Sequence, residues 1–157
     1  MAVPDFVKEL RSHIGHEPLW LSGVSAVVVD DGGRILLARR VDNLEWAVVS
    51  GILEPGEEPG DAVRREIAEE TGIEVEIDRL TSVDVTPPIH YPNGDVTQYL
   101  DLCFLARWTS GEPHVADEEN MDVRWFEPDA LPRKLADSSR LRIEKALAGD
   151  ERAWFRR

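Results

Sequence analysis

A mixed α/β sandwich is the fold class predicted by this 157-residue sequence, on three observations. Runs rich in β-branched and apolar residues recur at 19–29, 34–39, 46–49, 73–86, 96–107 and 122–126. Helical spacing of apolar side chains is interspersed among them, at 4–14, 60–71 and 137–148. No repeat, low-complexity segment or long linker divides the chain, and 42% hydrophobic with 31% charged residues is the balance of a globular domain. One domain is expected.

Pro4 suits a first helical turn, and Phe6, Val7, Leu10 and Ile14 follow at three- and four-residue intervals until Gly15 ends the pattern. Two strands, Leu19 to Val29 and Arg34 to Arg39, flank the turn Asp30-Asp31-Gly32-Gly33 and read as a hairpin. A short strand follows at Trp46 to Val49. Ser50 to Pro59 carries two prolines and two glycines and reads as a loop. Ala62, Val63 and Ile67 then form the apolar stripe of a helix from Gly60 to Thr71, closed by Gly72. The strands at 73–86 and 96–107 are joined by a loop through Pro87 to Gly94. A polar loop, 109–121, leads to the strand at Asp122 to Phe126, and Asp137 or Ser138 caps the last helix.

Eighteen basic against thirty-one acidic residues leave a net charge of −13, which argues against nucleic acid and anionic membrane as partners. An anionic substrate would need this charge offset locally, for which a divalent metal is suited. The single cysteine, Cys103, excludes an intramolecular disulfide and a multi-cysteine zinc site, and its apolar surroundings predict a buried, inert thiol. No apolar run approaches the roughly 18 residues of a membrane span. Met1-Ala2-Val3-Pro4-Asp5 lacks the pattern of a signal peptide, so a cytoplasmic protein is expected. The histidines at 13, 16, 90 and 114 show no metal-ligand spacing.

Chemistry concentrates on the helix at 60–71. Glu66, Glu69 and Glu70 stand at i, i+3 and i+4 and share a face, where like charges repel. Either solvent or cations relieve that repulsion; Arg65 alone does not neutralise three glutamates. Glu57, in the preceding loop, adds a fourth acid near the helix start. Hard oxygen ligands of this kind suit Mg²⁺ or Mn²⁺, with phosphate oxygens completing the shell. The spacing is more specific than the triplet: Gly51, five residues, Glu57, seven residues, Arg65-Glu66-Ile67, one residue, Glu69-Glu70, one residue, Gly72-Ile73. Seven fixed identities and two aliphatic positions form the complete box of the Nudix (MutT-type) hydrolases, a match that average residue usage yields by chance in fewer than about one sequence in a million.

The chain therefore resembles a Nudix hydrolase. The resemblance implies an α/β/α sandwich with a mixed β-sheet over roughly residues 18–148, so that 18–157 form the hydrolase domain and 1–17 a short N-terminal helical extension. It also implies hydrolysis of a nucleoside diphosphate linked to another group, with Mg²⁺ as cofactor and Mn²⁺ as its substitute. Carried over by position, Glu69 and Glu70 look like direct metal ligands, Glu66 a further ligand or a bridge through water, and the backbone carbonyl of Ser50 another. Glu57 and Arg65 would stand behind them, Arg65 holding the carboxylates in place. Val49-Ser50 occupy the place where the family commonly has Pro-Gly.

Outside the box, the resemblance points to a general base or last ligand in the loop Asp117-Glu118-Glu119-Asn120-Met121, at Glu119 or at Glu118 beside it. Arg39 resembles a phosphate-contacting position, with Arg40 directed to the opposite side. Trp46 is either core or a stacking platform for a base. Two family signals disagree on substrate: Pro88, fifteen residues past Ile73, accompanies ADP-ribose hydrolysis, and Tyr91 accompanies diadenosine polyphosphates. ADP-ribose or a nucleotide sugar is the substrate class expected. The alternatives are a (deoxy)nucleoside triphosphate or diadenosine polyphosphate hydrolase, or a nucleotide sensor without turnover. Family members often dimerise, so a homodimer is expected.

Overall fold

A computed structural model describes residues 3–157; Met1 and Ala2 of the expected N-terminal extension lie outside the described residues. Strand β1 (Leu19–Val29) is apolar along most of its length, with residues buried on both faces, as a strand packed between two layers requires. It runs antiparallel from the expected turn into β2 (Ile35–Arg40), with Val29 opposite Ile35. The two-residue β3 (Trp46–Ala47) flanks β2.

Ser50 to Ile52, expected as loop, extend a further strand, β4 (Val49–Ile52), with Val48 separating it from β3. The eleven-residue β1 outruns the six-residue β2, and its backbone groups beyond the turn need partners. β4 supplies them by pairing antiparallel from Gly23 opposite Ile52 to Ala26 opposite Val49.

Helix α2 (Pro59–Thr71) follows, with proline in its first turn and Gly72 in the left-handed conformation at its end, φ 70°. Strand β5 (Glu74–Val85) and the short β6 (Ile89–His90) lead to β7 (Val96–Ser110). β7 runs parallel to β1 in unbroken register from Leu19 opposite Thr97 to Val29 opposite Arg107. It also takes β5 and β6 antiparallel. Strand β8 (Asn120–Phe126), two residues longer than the sequence indicates, pairs with β2 through a bulge at Arg39/Arg40. Helix α3 (Asp137–Leu147) and the two-residue β9 (Trp154–Phe155), parallel to β5, complete the mixed sheet.

Alternation along β1 sorts the core into two layers. Val24, Ala26 and Val28 meet Leu36, Ala38 and the α2 stripe Ala62, Val63 and Ile67. Val27 and Val29 meet Ile35, Leu37, Trp46, Cys103 and the α3 residues Ile143 and Ala146. A buried polar tie secures α3: Asp101 accepts a hydrogen bond from Ser25 Oγ at 2.7 Å and pairs with Arg142 at 3.0 Å. Helix α1 (Asp5–Ile14) lies on its own domain, with Val7 buried against Leu21 and Ile52. No described helix is long and apolar enough to cross a membrane.

Candidate active site

Helix α2 turns part of its acidic face inward. Glu66 is 2% exposed and Glu70 7%, on the same side as the apolar stripe, whereas the Glu69 side chain is 58% exposed. Burial of carboxylates is costly unless they are paired. Arg65 pairs them. Its Nε and Nη2 donate to the two oxygens of Glu57 at 2.8 and 3.0 Å, a bidentate fork. Nη1 donates to Glu66 Oε1 at 2.9 Å and Glu69 Oε2 at 3.4 Å, and Nη2 also donates to the Ile52 carbonyl at 3.3 Å. Five contacts match the five donors of a guanidinium.

Gly51 of β4 faces this cluster. A Cβ on Gly51 would overlap the Glu66 carboxyl group, so glycine here is what lets helix and strand enclose that acid. Glu70 is held from the other side. The loop after β7 caps the end of α2: His114 N donates to the Thr71 carbonyl at 3.0 Å and Ala116 N to the Glu70 carbonyl at 3.2 Å. That loop carries Asp117 and Asn120 to the Glu70 side chain, where Asn120 Nδ2 donates to Glu70 Oε2 at 3.3 Å.

Burial pushes the Glu70 carboxyl up to about 7, with Asp117 and Glu66 adding repulsion against the Asn120 hydrogen bond. Burial also raises Glu66, against the pull of Arg65. The Arg65 guanidinium holds Glu57 below its ordinary value, and those carboxylates in turn raise Arg65.

Arg39 and Arg40 point to opposite sides. Arg39 donates from Nε to the Leu44 carbonyl at 3.3 Å. Arg40 follows Leu36 and Ala38 and takes the side of the carboxylates. It forks onto Asp42 at 3.0 Å, and its charge is favoured chiefly by Asp42 and also by Glu70. Glu119 stands on this rim, its Oε2 4.0 Å from Arg40 Nη2, while Glu118 is exposed. Tyr91 Oη lies 3.1 Å from Tyr99 Oη in the segment between β6 and β7. Trp46 is packed in the α3-side core, edge-on to Phe126 at 4.8 Å and 8% exposed. The structure thus brings Glu57, Arg65, Glu66, Glu69 and Glu70 together, with Glu119 at the edge, and seats Trp46 away from them. The Ser50 residue lies opposite Ser25 across the β4–β1 pairing.

Arg40, Asp117 and Asn120 are site residues that sequence reasoning did not select. Alternation from Leu36 and Ala38 was a usable signal for Arg40. Asn120 carries none, because its approach to Glu70 depends on how the loop caps α2.

Among the described residues, no three acidic, imidazole or thiol side chains converge as ligands already in place around an ion. Glu66 and Glu69 are turned to Arg65, and Glu70 to Asn120. What fits a divalent cation is the donor chemistry: carboxylate oxygens on one helix face, two of them buried and raised, with less positive charge than they need.

The Glu70 shift predicts the pH dependence of the metal-free protein. The native state takes up this proton near pH 7 and the unfolded chain near 4.5, so between those values stability falls as pH rises. The difference corresponds to on the order of 3 kcal/mol. Glu57 acts in the opposite sense, but only near and below its ordinary value of 4.5. Thermal melts in chelator from about pH 5.5 to about pH 8 should show a falling Tm for the wild type and a flatter profile for Glu70→Gln. Equal slopes for the two proteins would refute the assignment.

With this geometry in hand, the likeness to known proteins is specific. The NUDIX domain family model matches residues 20–147. A MutT-like protein of Streptomyces ambofaciens is 36% identical over 132 residues, covering 84% of this chain and 80% of that protein. The NAD-capped RNA hydrolase NudC of Pseudomonas syringae is 36% identical over 126 residues, 78% of this chain but 42% of that longer protein. The MutT NUDIX hydrolase structure from Burkholderia pseudomallei superposes with a TM-score of 0.59 at 29% identity, covering 82% of this chain and 98% of that one. Nudix box, fold and family match agree: the chain belongs to the Nudix family of hydrolases, pyrophosphatases that act on phosphoric anhydride bonds.

Proposed function

We propose that this protein is a Mg²⁺-dependent pyrophosphohydrolase that cleaves the diphosphate of a nucleoside diphosphate linked to another group, with ADP-ribose or a nucleotide sugar as the substrate class. The observation that carries the reading is the α2 carboxylate face organised by Arg65. The name of the NudC relative, which acts on NAD-capped RNA, supports a diphosphate joined to a second group. Pro88, between β5 and β6, supports the ADP-ribose assignment. Residues 18–157 form the hydrolase domain in this reading, and residues 1–17 its extension.

Nudix hydrolases generally use divalent metal ions. Glu66, Glu69 and Glu70, with the Ser50 carbonyl, would hold the cation here, and Mn²⁺ would substitute for Mg²⁺. Such a cation supplies neutralisation of the diphosphate charge and acidifies water for attack on phosphorus. The chain does the rest. Arg65 keeps Glu57, Glu66 and Glu69 from repelling one another apart. Glu119, on the rim, accepts the proton of the attacking water at a carboxylate oxygen. Arg40, facing the same side, offers positive charge to the outer phosphate. Tyr91 borders the leaving group.

The reading also places the protein in the cytoplasm as a homodimer. Val85 and Phe155, both about half exposed beside Leu100, give it an apolar surface to share. Sedimentation equilibrium at micromolar concentration should return the mass of two chains; a single-chain mass would remove the dimer.

Product chromatography from ADP-ribose, nucleotide sugars, diadenosine polyphosphates and (deoxy)nucleoside triphosphates tests the chemistry. With Mg²⁺, ADP-ribose or a nucleotide sugar should be cleaved to two monophosphates, and chelator should abolish turnover. Glu69→Gln and Glu70→Gln should each lower kcat by about a hundredfold or more, as loss of transition-state charge stabilisation does. Preference for triphosphates would shift the substrate class. Binding of a nucleotide with no turnover of any would overturn the enzyme assignment.

A further inference from the structure

The N-terminal helix α1 grips the hairpin of β6 and β7 chiefly through one residue. Arg11 Nη1 donates to the carbonyls of Gly15 and Glu17, contacts that close the end of its own helix. Its Nη2 instead crosses to the start of β7, donating to the Val96 carbonyl at 2.9 Å and to Thr97 Oγ1 at 3.2 Å. Nε is buried and 3.5 Å from Asp95 Oδ1, an ion pair rather than a hydrogen bond. His16 Nδ1 closes on the same oxygen at 2.7 Å. The Arg11 side chain is only 12% exposed. A guanidinium withdrawn this far from water is held by what it grips, and most of that grip is the hairpin formed by β6, β7 and the turn between them.

The same turn carries Tyr91, whose backbone N–H donates to the Asp95 carbonyl at 2.9 Å. Its hydroxyl meets Tyr99 Oη at 3.1 Å. The groups form a connected series from α1 into the hairpin: Arg11, then Asp95 and Thr97, then Tyr91 and Tyr99. α1 also touches the opposite wall, because Val7 packs on Ile52, whose carbonyl receives Arg65.

We propose that Arg11 is a positioning residue for substrate recognition: by clamping the β6–β7 hairpin to α1, it fixes the place of Tyr91, the residue that the proposed function sets at the leaving group. This rests on the reading of the cleft as the pyrophosphohydrolase site. Arg11 touches no reacting atom. It therefore acts on the fit of the substrate rather than on the bond-breaking step, and its removal raises KM without lowering kcat in proportion. A role confined to holding α1 on the domain would use the same contacts with Asp95, Val96 and Thr97 but would leave KM unchanged.

The experiment approaches the clamp from both elements. Arg11→Ala and Asp95→Asn are compared with the wild type in steady-state kinetics on ADP-ribose with Mg²⁺, or on whichever member of the substrate panel the wild type cleaves. Amide hydrogen exchange of residues 89–97 is followed in the same proteins without substrate. Arg11→Ala should raise KM about tenfold and Asp95→Asn about threefold, with kcat within about twofold in each. Exchange in 89–97 should accelerate in both. Unchanged exchange in Arg11→Ala would overturn the clamp, and faster exchange with unchanged KM would overturn its part in recognition. A kcat loss equal to the KM change in either variant would contradict positioning. A wild type that cleaves nothing overturns the pyrophosphohydrolase reading and this inference with it; an active wild type beside an unaffected Arg11→Ala overturns this inference alone.

Discussion

One guanidinium decides whether the active helix exists as drawn. Glu66, Glu69 and Glu70 repel one another on α2, and two of them are buried, where repulsion is least screened. Arg65 offsets this for Glu66 and Glu69, its five donors all engaged, and no other side chain type has that number in a fixed fork. By tying Glu57 and the Ile52 carbonyl to the same group, it also joins the loop before α2 and the strand β4 to the helix. The box is then a packing unit in its own right.

The remainder of the fold delivers partners to that unit. β1 and β2 separate beyond their turn, β4 enters the gap, and its Gly51 makes room for the Glu66 carboxyl group. At the far end of α2 the loop after β7 satisfies helix carbonyls by its own backbone and brings Asp117 and Asn120 onto Glu70. Both determine which carboxylates are buried, and so which are raised and which stay exposed.

Much of this was legible in the sequence because it is periodic or local. The β1–β2 hairpin, the α2 stripe with its proline start and glycine stop, and the acidic box follow from spacing alone. What was not legible depends on pairing between distant segments. Ser50 to Ile52 look like loop because of Gly51 and the proline after them, yet the unpaired edge of β1 makes them a strand. β6 and β9 are two residues each, too short for any periodic signal. Asn120 reaches Glu70, fifty positions away, only through the cap on α2. Arg40 shows the opposite case: alternation along β2 already set it on the α2 side, while the family resemblance drew attention to Arg39.

The chain's −13 charge sharpens what the site must do, since an anionic diphosphate approaches an anionic protein. Arg65 is committed to carboxylates and Arg40 is shared with Asp42, so in the proposed reading a divalent cation supplies the larger part of the counter-charge. Calorimetric titration of Mn²⁺ into chelator-treated protein measures this directly, with the Glu66→Gln/Glu70→Gln double variant beside the wild type. The account predicts saturable binding to the wild type, weakened at least about tenfold in the variant by the loss of two ligands. Equal binding by both proteins, or none by either, would contradict it.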